Sequence, residues 1–510
     1  MNHEMKYARR AALWCILLPL LFVLSGCVSQ VTQRSMEDLS GTEIKPSMSA
    51  PWEDGWDPGT QRVTLYFLSE DGEHLSAVTR EVTLQDGSSR AYAALSALLD
   101  GPQEGERGVS WPDLGTARPE RLLEVSGGVA TVDLPARART LSQEELYAVR
   151  LAIADTLTEF KEISYVNVLV GGREEGLDLG ATLPVGTFTR VEDMEALARY
   201  NRLYELRQSS QGVTLLTTLY FPSADGAMLL PEVRSVAYSV VSPIEFLYTL
   251  LEELGKGANH SLAAGAIPAP MQYIEEMPEI TRTEDGAYRA IDIRFSAALD
   301  DALAEAGLTR GIYLAMLTDT LMGFVPGVEG IRVTIGSEVV TALSAEQTPA
   351  GVPLEFAQTL ATRADFVGYA GAPATLYTQD GESGGLRRVQ RVLPQERQDD
   401  PRERLAALIR LSGEDGAVCL PGGLTEADIL AVHVGADAIA VNLSQNFAGA
   451  LSALSHKRER SAVYAMVNTL TEGMDASRVI FFFEGEQVSA LAGGLEMRGA
   501  FVRNPGMVVE

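Results

Sequence analysis

One short pattern occurs three times along this chain, and it constrains the fold more than any other feature. Thr64-Leu65-Tyr66-Phe67 opens the first copy, Thr218-Leu219-Tyr220-Phe221 the second and Thr375-Leu376-Tyr377 the third. The three tyrosines stand 154 and then 157 residues apart. An Asp-Gly turn follows each of them, at Asp71-Gly72, Asp225-Gly226 and Asp380-Gly381. Val132-Asp133-Leu134 returns as Ile291-Asp292-Ile293 and as Val441-Asn442-Leu443. Asp155-Thr156-Leu157 returns as Asp319-Thr320-Leu321 and as Asn468-Thr469-Leu470. Three marker sets recur in one order at a domain-sized period, which means tandem domains and not a solenoid.

The first copy shows what each domain contains. Residues 63–68 alternate and are rich in β formers, the Asp-Gly turn follows, and 77–84 run back as a second strand. Tyr92, Leu95, Leu98 and Leu99 share one helical face, and Gly101-Pro102 ends that helix. Residues 122–125 and 129–134 flank Gly127-Gly128 as a hairpin. Ser142 and Glu145 form a capping box ahead of Leu146, Val149, Ile153, Leu157 and Phe160 at helical spacing. Residues 165–170 close the copy as a strand. Ser242, Pro243 and Glu245 supply N-cap, N1 proline and capping-box acid in the second copy; Asp400, Pro401 and Glu403 start the helix of the third. Short strands with two amphipathic helices predict an α+β fold of three tandem sandwich domains. Each has a small mixed or antiparallel sheet carrying two helices on one face. The expected domains are 62–190, 212–340 and a diverged 373–510. A charged, helix-like linker at 191–211 and a looser, Pro- and Gly-bearing linker at 341–372 separate them.

The N-terminus reads as an export signal. Lys6, Arg9 and Arg10 precede an apolar run over 11–24, too short to span a bilayer and interrupted by Pro19. Leu24-Ser25-Gly26-Cys27 then resembles a bacterial lipobox. In that resemblance residues 1–26 are a lipoprotein signal peptide, and Cys27 carries the lipid as the new N-terminus. Residues 27–61 are polar, without a sustained period, and carry Pro46, Pro51, Gly55 and Pro58, so they read as a flexible tether. Trp52 and Trp56 lie within it and are expected to pack on the flank of the first domain, with a short docking motif as the alternative. The chain is acidic, with a formal net charge of −28, which repels nucleic acid and anionic headgroups. Of its 3 cysteines, Cys15 leaves with the leader and Cys27 is lipidated. Cys419 is left with no disulfide partner and is read as a core residue.

Site chemistry is sparse. After the leader the histidines are His74, His260, His433 and His456, and no Cys/His spacing fits zinc. No Walker or dinucleotide loop follows a strand, so no metal or cofactor is expected. Gly381-Glu382-Ser383-Gly384-Gly385 fits Gly-x-Ser-x-Gly in letters, but it falls in the hairpin turn of the third repeat. A nucleophile elbow needs a strand before it and a helix directly after. Asp133, Asp292 and Asn442 are read as groups that cap a turn or bond backbone, because a catalytic acid would not tolerate Asn in one copy. Asp155, Asp319 and Asn468 are read the same way. Thr156, Thr320 and Thr469 are read as helix threonines bonding the carbonyl one turn back.

Taken in order, several marks resemble the GerMN domain of sporulation and spore germination lipoproteins. They are Leu-Tyr-Phe on a strand, a Leu-Leu helix ended by Gly-Pro (Leu98, Leu99, Gly101, Pro102), Val-Asp-Leu, a Thr-Leu helix and a closing strand. The second repeat has Gly255-Lys256-Gly257 where Gly-Pro is expected; the third lacks the aromatic after Tyr377. The resemblance implies a fold similar to ring-building motifs of secretion systems. It implies a non-enzymatic lipoprotein on the outer face of the cell membrane, in the space between mother cell and forespore if the source sporulates. It also implies partners among envelope and sporulation proteins, the membrane through the lipid, and a homo-oligomer or ring, with no nucleic acid. On this reading the chain supports assembly of a sporulation or germination envelope complex. The alternative is a general cell-envelope lipoprotein that binds a sensor or a cell-wall component.

Overall fold

The computed structural model describes residues 34–35, 60–83, 89–111, 114, 121–176, 183–190, 212–282, 288–381, 384–412, 420–435, 438–474 and 476–509. The signal peptide with Cys27, most of the tether with both of its tryptophans, the 191–211 linker, Ser383 and Cys419 lie outside them. The chain is mixed α+β, built from several small sheets, and it divides into two compact units. The first unit is Asp57–Thr378 with Arg387–Leu408; the second is Met1–Trp56, Gln379–Leu386 and Ile409–Glu510.

The first repeat runs β1 (Thr60–Leu68), β2 (Leu75–Thr83), α1 (Arg90–Leu99), β3 (Leu123–Ser126), β4 (Val129–Leu134), α2 (Gln143–Leu157) and β5 (Tyr165–Val170). Strands β1 and β2 pair antiparallel from Thr60↔Thr83 to Leu68↔Leu75. Strands β4 and β5 pair parallel from Val129↔Tyr165 to Leu134↔Val170, and α2 supplies the crossover that a parallel pair needs. The Ser142–Glu145 capping box closes in both directions.

The second repeat has the same order with one helix, α4, added: β6 (Val213–Pro222), β7 (Leu229–Tyr238), α3 (Pro243–Gly255), β8 (Ile274–Arg282), β9 (Tyr288–Phe295), α4 (Ala298–Glu305), α5 (Arg310–Met322) and β10 (Gly330–Ile335). Ser242 caps α3 as expected, but the Glu245 carboxylate accepts the Ser239 N–H instead of closing the box. The third repeat contributes β11 (Gly371–Asp380), β12 (Gly385–Pro394) and α6 (Pro401–Leu411). It continues with β13 (Ile429–Val434), β14 (Ala438–Leu443), α7 (Gln445–Ser452), α8 (His456–Thr471) and β15 (Arg478–Phe483). Pairs β9–β10 and β14–β15 are parallel, like β4–β5.

Two expectations are corrected here. Each repeat was expected to hold one sheet; among the described residues the opening hairpin is instead a sheet of its own, apart from the sheet built on the parallel pair. The reason is local. The Thr156 hydroxyl accepts the backbone N–H of Tyr66 (3.1 Å), and the Thr320 hydroxyl accepts that of Tyr220 (3.0 Å). A helix side chain takes the strand-edge donor that a neighbouring strand would have used. In the first two repeats the mid-helix threonine therefore bonds across to the Leu-Tyr-Phe strand and not to the carbonyl one turn back, as was expected, so the two marks recur together there.

Residues 341–372 are not a loose joint. Phe356, Ala361, Phe366 and Tyr369 enter the hydrophobic core that both repeats of the first unit share. Tyr369 donates its hydroxyl to the Gln347 carbonyl (2.7 Å), over the start of α5. A Cβ at Gly311 would come within 1.9 Å of that carbonyl oxygen, so this helix start must be glycine. The Pro349, Gly351 and Pro353 turn signals are present, but the aromatic residues around them decide the packing.

Candidate functional site

The first two repeats meet around a buried charge cluster. Arg121, just before β3, and Glu124 within it come from the first repeat; Asp319 and Tyr220 come from the second. Arg363 arrives from the 341–372 segment and is 3% exposed. Arg121 donates to both Glu124 oxygens and through one NH2 to Asp319 Oδ2 (3.1 Å). Its other nitrogen donates to the Arg363 carbonyl (2.7 Å). Arg363 donates to the Asp319 carbonyl (3.1 Å) and to Glu124 Oε2 (3.5 Å), with its guanidinium 5.3 Å from the centre of the Tyr220 ring. The Tyr220 hydroxyl bonds Thr131 Oγ1 (3.0 Å) on β4.

Burial works against the charge on Arg121, yet Asp319 and Glu124 more than offset it, so its pKa rises. The same holds for Arg363, with Asp319 its strongest support. Burial pushes the pKa of the Tyr220 hydroxyl up, so it stays neutral. Burial also raises Asp133, against the pull of the Gly172 N–H and the Arg363 charge. Two cations and two anions are thus cross-paired in a dry place, a geometry that stabilises only when every member is present.

The cleft beside the cluster is lined by Ser126, Thr131, Tyr220, Asp319 and Gln395 and has room for about one water. No group of three His, Cys, Asp or Glu side chains among the described residues could hold a metal ion. No helix among them is long and apolar enough to cross a membrane.

A second seam joins the same repeats. Glu174, 1% exposed, pairs with Arg150 (3.3 Å) and accepts the Gly176 N–H (2.8 Å). Its own N–H donates to the Met322 carbonyl at the end of α5 (3.0 Å), and its carbonyl accepts the Gly327 N–H (3.0 Å).

The recurring polar residues turn out to have separate jobs. Asp133 accepts the Gly172 N–H (2.7 Å) and Asn442 the Gly485 N–H (2.9 Å), so these two cap the turn after the closing strand as expected. Asp292 departs from that pattern: it takes Arg332 (2.6 Å) and the Thr281 hydroxyl instead. Asn468 brackets Asn504, accepting its N–H (3.0 Å) and donating to its carbonyl (3.4 Å). Gly384 and Gly385 frame a hairpin connection after β11, so the Gly-x-Ser-x-Gly letters lack the strand-to-helix turn that a nucleophile requires.

Sequence reading missed one recurrent arginine. Arg80 donates to the Ala97 and Gly101 carbonyls (2.8 and 2.9 Å) at the C-terminus of α1. Arg234 donates to the Glu253 and Gly257 carbonyls (3.1 and 2.5 Å) at the end of α3. Each guanidinium lies over the strand phenylalanine of its own repeat, at 5.6 Å from Phe67 and 4.9 Å from Phe221. A cation at a helix C-terminus answers the orphan carbonyls and the negative end of the dipole. Gly257, at φ +74, does for α3 what Gly101, at φ +86, does for α1. The signal was available: Leu75, Leu229 and Leu386 each precede an arginine by five residues, at Arg80, Arg234 and Arg391.

A family model described as "Germane: Sporulation and spore germination" matches residues 64–176 and 375–489. The Germane signature occurs twice. The matched segments fall in the first and third repeats, and the second of them begins in one compact unit and ends in the other. Among solved structures, the chain is similar to the tandem GerMN domains of the sporulation protein GerM from Bacillus subtilis. That likeness is 18% identity over 60% of this chain and 99% of that one, with a TM-score of 0.21. It is also similar to a candidate lipoprotein from Clostridium perfringens, at 18% identity over 28% of this chain and 97% of that one, with a TM-score of 0.18. Neither TM-score supports a shared overall arrangement. No curated protein matches the chain.

Proposed function

We propose that this is a non-enzymatic, lipid-anchored envelope protein that supports assembly of a sporulation or germination complex through three tandem GerMN-like domains. The observation that carries this reading is the double Germane match at 64–176 and 375–489. The lipobox-like Leu24-Ser25-Gly26-Cys27 supplies the anchor at Cys27, on the outer face of the cell membrane. The site geometry is in keeping with a binding role. Arg121, Glu124, Asp319 and Arg363 are spent on holding two repeats together. Envelope proteins of the complex are the proposed partners. A single lipid chain binds a membrane only marginally, so a doubly acylated Cys27 or protein contacts must hold the chain in place.

The test is a count of heat-resistant spores after deletion of the gene, with complementation by wild type and by Cys27→Ala. A large loss of spores, restored by wild type and not by Cys27→Ala, is the expected result. Normal spore numbers, or a source that never sporulates, would overturn the sporulation role and leave the general envelope lipoprotein.

A further inference from the structure

Three repeats come together around the cleft beside the charge cluster. Ser126 and Thr131 line it from the first repeat, Tyr220 and Asp319 from the second. Gly371, at the start of β11, and Gln395, just after β12, close it from the third. All of them belong to the first compact unit. The chains pack closely here: a Cβ at Gly371 would fall 2.5 Å from the Met228 Cβ and 2.6 Å from the Val392 Cγ1. What is left between them has room for about one water.

Two of these residues hold a buried polar atom with no hydrogen-bond partner in the protein. One is Ser126 Oγ, in a residue 6% exposed; the other is Asp319 Oδ1, in a residue 1% exposed. Asp319 gives its other oxygen to Arg121 (3.1 Å) and its backbone carbonyl to Arg363 (3.1 Å). The Arg363 guanidinium stands 3.4 Å from Oδ1, close enough to act as a charge but not aligned as a donor. A carboxylate oxygen only accepts, a hydroxyl both donates and accepts, and either is costly when buried without a partner.

We infer that the cleft is a binding site for one resident water, which donates to Asp319 Oδ1 and accepts from the Ser126 hydroxyl. The Tyr220 and Thr131 hydroxyls, which bond each other at 3.0 Å, offer an acceptor for its second proton. Three polar partners are what a buried water usually has. Charge selects water over an ion. Arg121 and Arg363 already balance Glu124 and Asp319, so a sodium or a chloride ion would leave one charge unpaired in a buried site. A water adds donors and an acceptor and no charge. It ties the first repeat to the second beneath the hairpin of the third, and it does so whether or not the source sporulates.

Oxygen-17 relaxation dispersion of the full chain in mild detergent counts its long-lived buried waters. Ser126→Val, whose methyl groups take the place of the hydroxyl and its water, should lose one of them relative to wild type. Thr79→Val, at an exposed position on β2, should lose none. A crystal structure of the wild type should show the water within about 3.2 Å of both Ser126 Oγ and Asp319 Oδ1. A rubidium soak should leave no anomalous peak there. An unchanged water count in folded Ser126→Val overturns the inference, as does a wild-type cleft without density touching both atoms. A rubidium peak overturns it in favour of a monovalent cation. Should Ser126→Val fail to fold, the wild-type crystal decides alone.

Discussion

Asp133 and Asp292 hold the same place in two repeats, and so do Leu169 and Arg332 on the neighbouring parallel strands. In the first repeat this sheet face is the more buried: Leu169 is fully buried, Asp133 is half-buried, and Tyr220 and Arg363 of the inter-repeat seam stand close by. In the second repeat the face is partly wet, and Asp292 and Arg332 answer each other as an ion pair 2.6 Å apart. One backbone pattern is thus finished in two ways. Where another repeat covers the sheet, the chain places an apolar side chain and a raised-pKa carboxyl; where solvent covers it, it places a charge pair. Repeats that look alike in sequence diverge at the surfaces where they meet something.

The sharpest way to break that comparison is to remove one arginine from each face. Arg363→Ala leaves Asp319 and Glu124 short of a buried cation and should cost about 3–5 kcal/mol in the urea unfolding of the first unit. Arg332→Ala, in a part-exposed pair, should cost no more than about 1 kcal/mol. Equal losses would mean that the seam is no drier than the open face.

Next in size is Gly311→Ala, whose Cβ has no room against the Gln347 carbonyl and the Tyr369 hydroxyl. We expect about 1–3 kcal/mol lost to overpacking, with faster amide exchange across 341–372. Unaltered exchange there would show that the segment is not docked on this helix. Thr156→Val and Thr320→Val test what the repeats share. Each orphans one buried strand N–H and should cost about 1–3 kcal/mol, by similar amounts in the two repeats.

Smallest is Asp133→Asn. The third repeat already uses Asn442 for this turn, so the Gly172 N–H keeps its acceptor. Burial raises the folded pKa of Asp133 above its ordinary value near 3.8, so the native state binds more protons than the unfolded one in that window. Its contribution therefore favours folding as pH falls through the folded pKa and is lost as pH rises. The variant should be as stable as wild type or more so near neutral pH, and should lack this gain in acid. Urea midpoints measured across the acid range read it directly; a large loss at neutral pH would show that the carboxylate is needed charged.

Much of this was legible in the chain. The threefold order of marks, the Ser142–Glu145 box, the Ser242 cap and the turn-capping roles of Asp133 and Asn442 all follow from local chemistry, which acts over a few residues. The short helices α4 and α7 were not read, because eight residues with two or three apolar positions hold too little period to stand out. The Arg80 and Arg234 caps were missed because each joins a strand to a helix end about 20 residues on. The charge cluster was invisible, because Arg121, Asp319 and Arg363 are far apart in sequence and look like surface residues one at a time.

Most of the elements, their order and their repetition are written in neighbouring residues, as caps, turns and apolar periods. Long-range packing, not local pattern, set the opening hairpin apart as its own sheet, joined two repeats in one core and drew 341–372 into it. Those outcomes depend on which buried groups find partners across hundreds of residues. A lone arginine or threonine carries no mark of the distant carboxylate or strand N–H that will answer it.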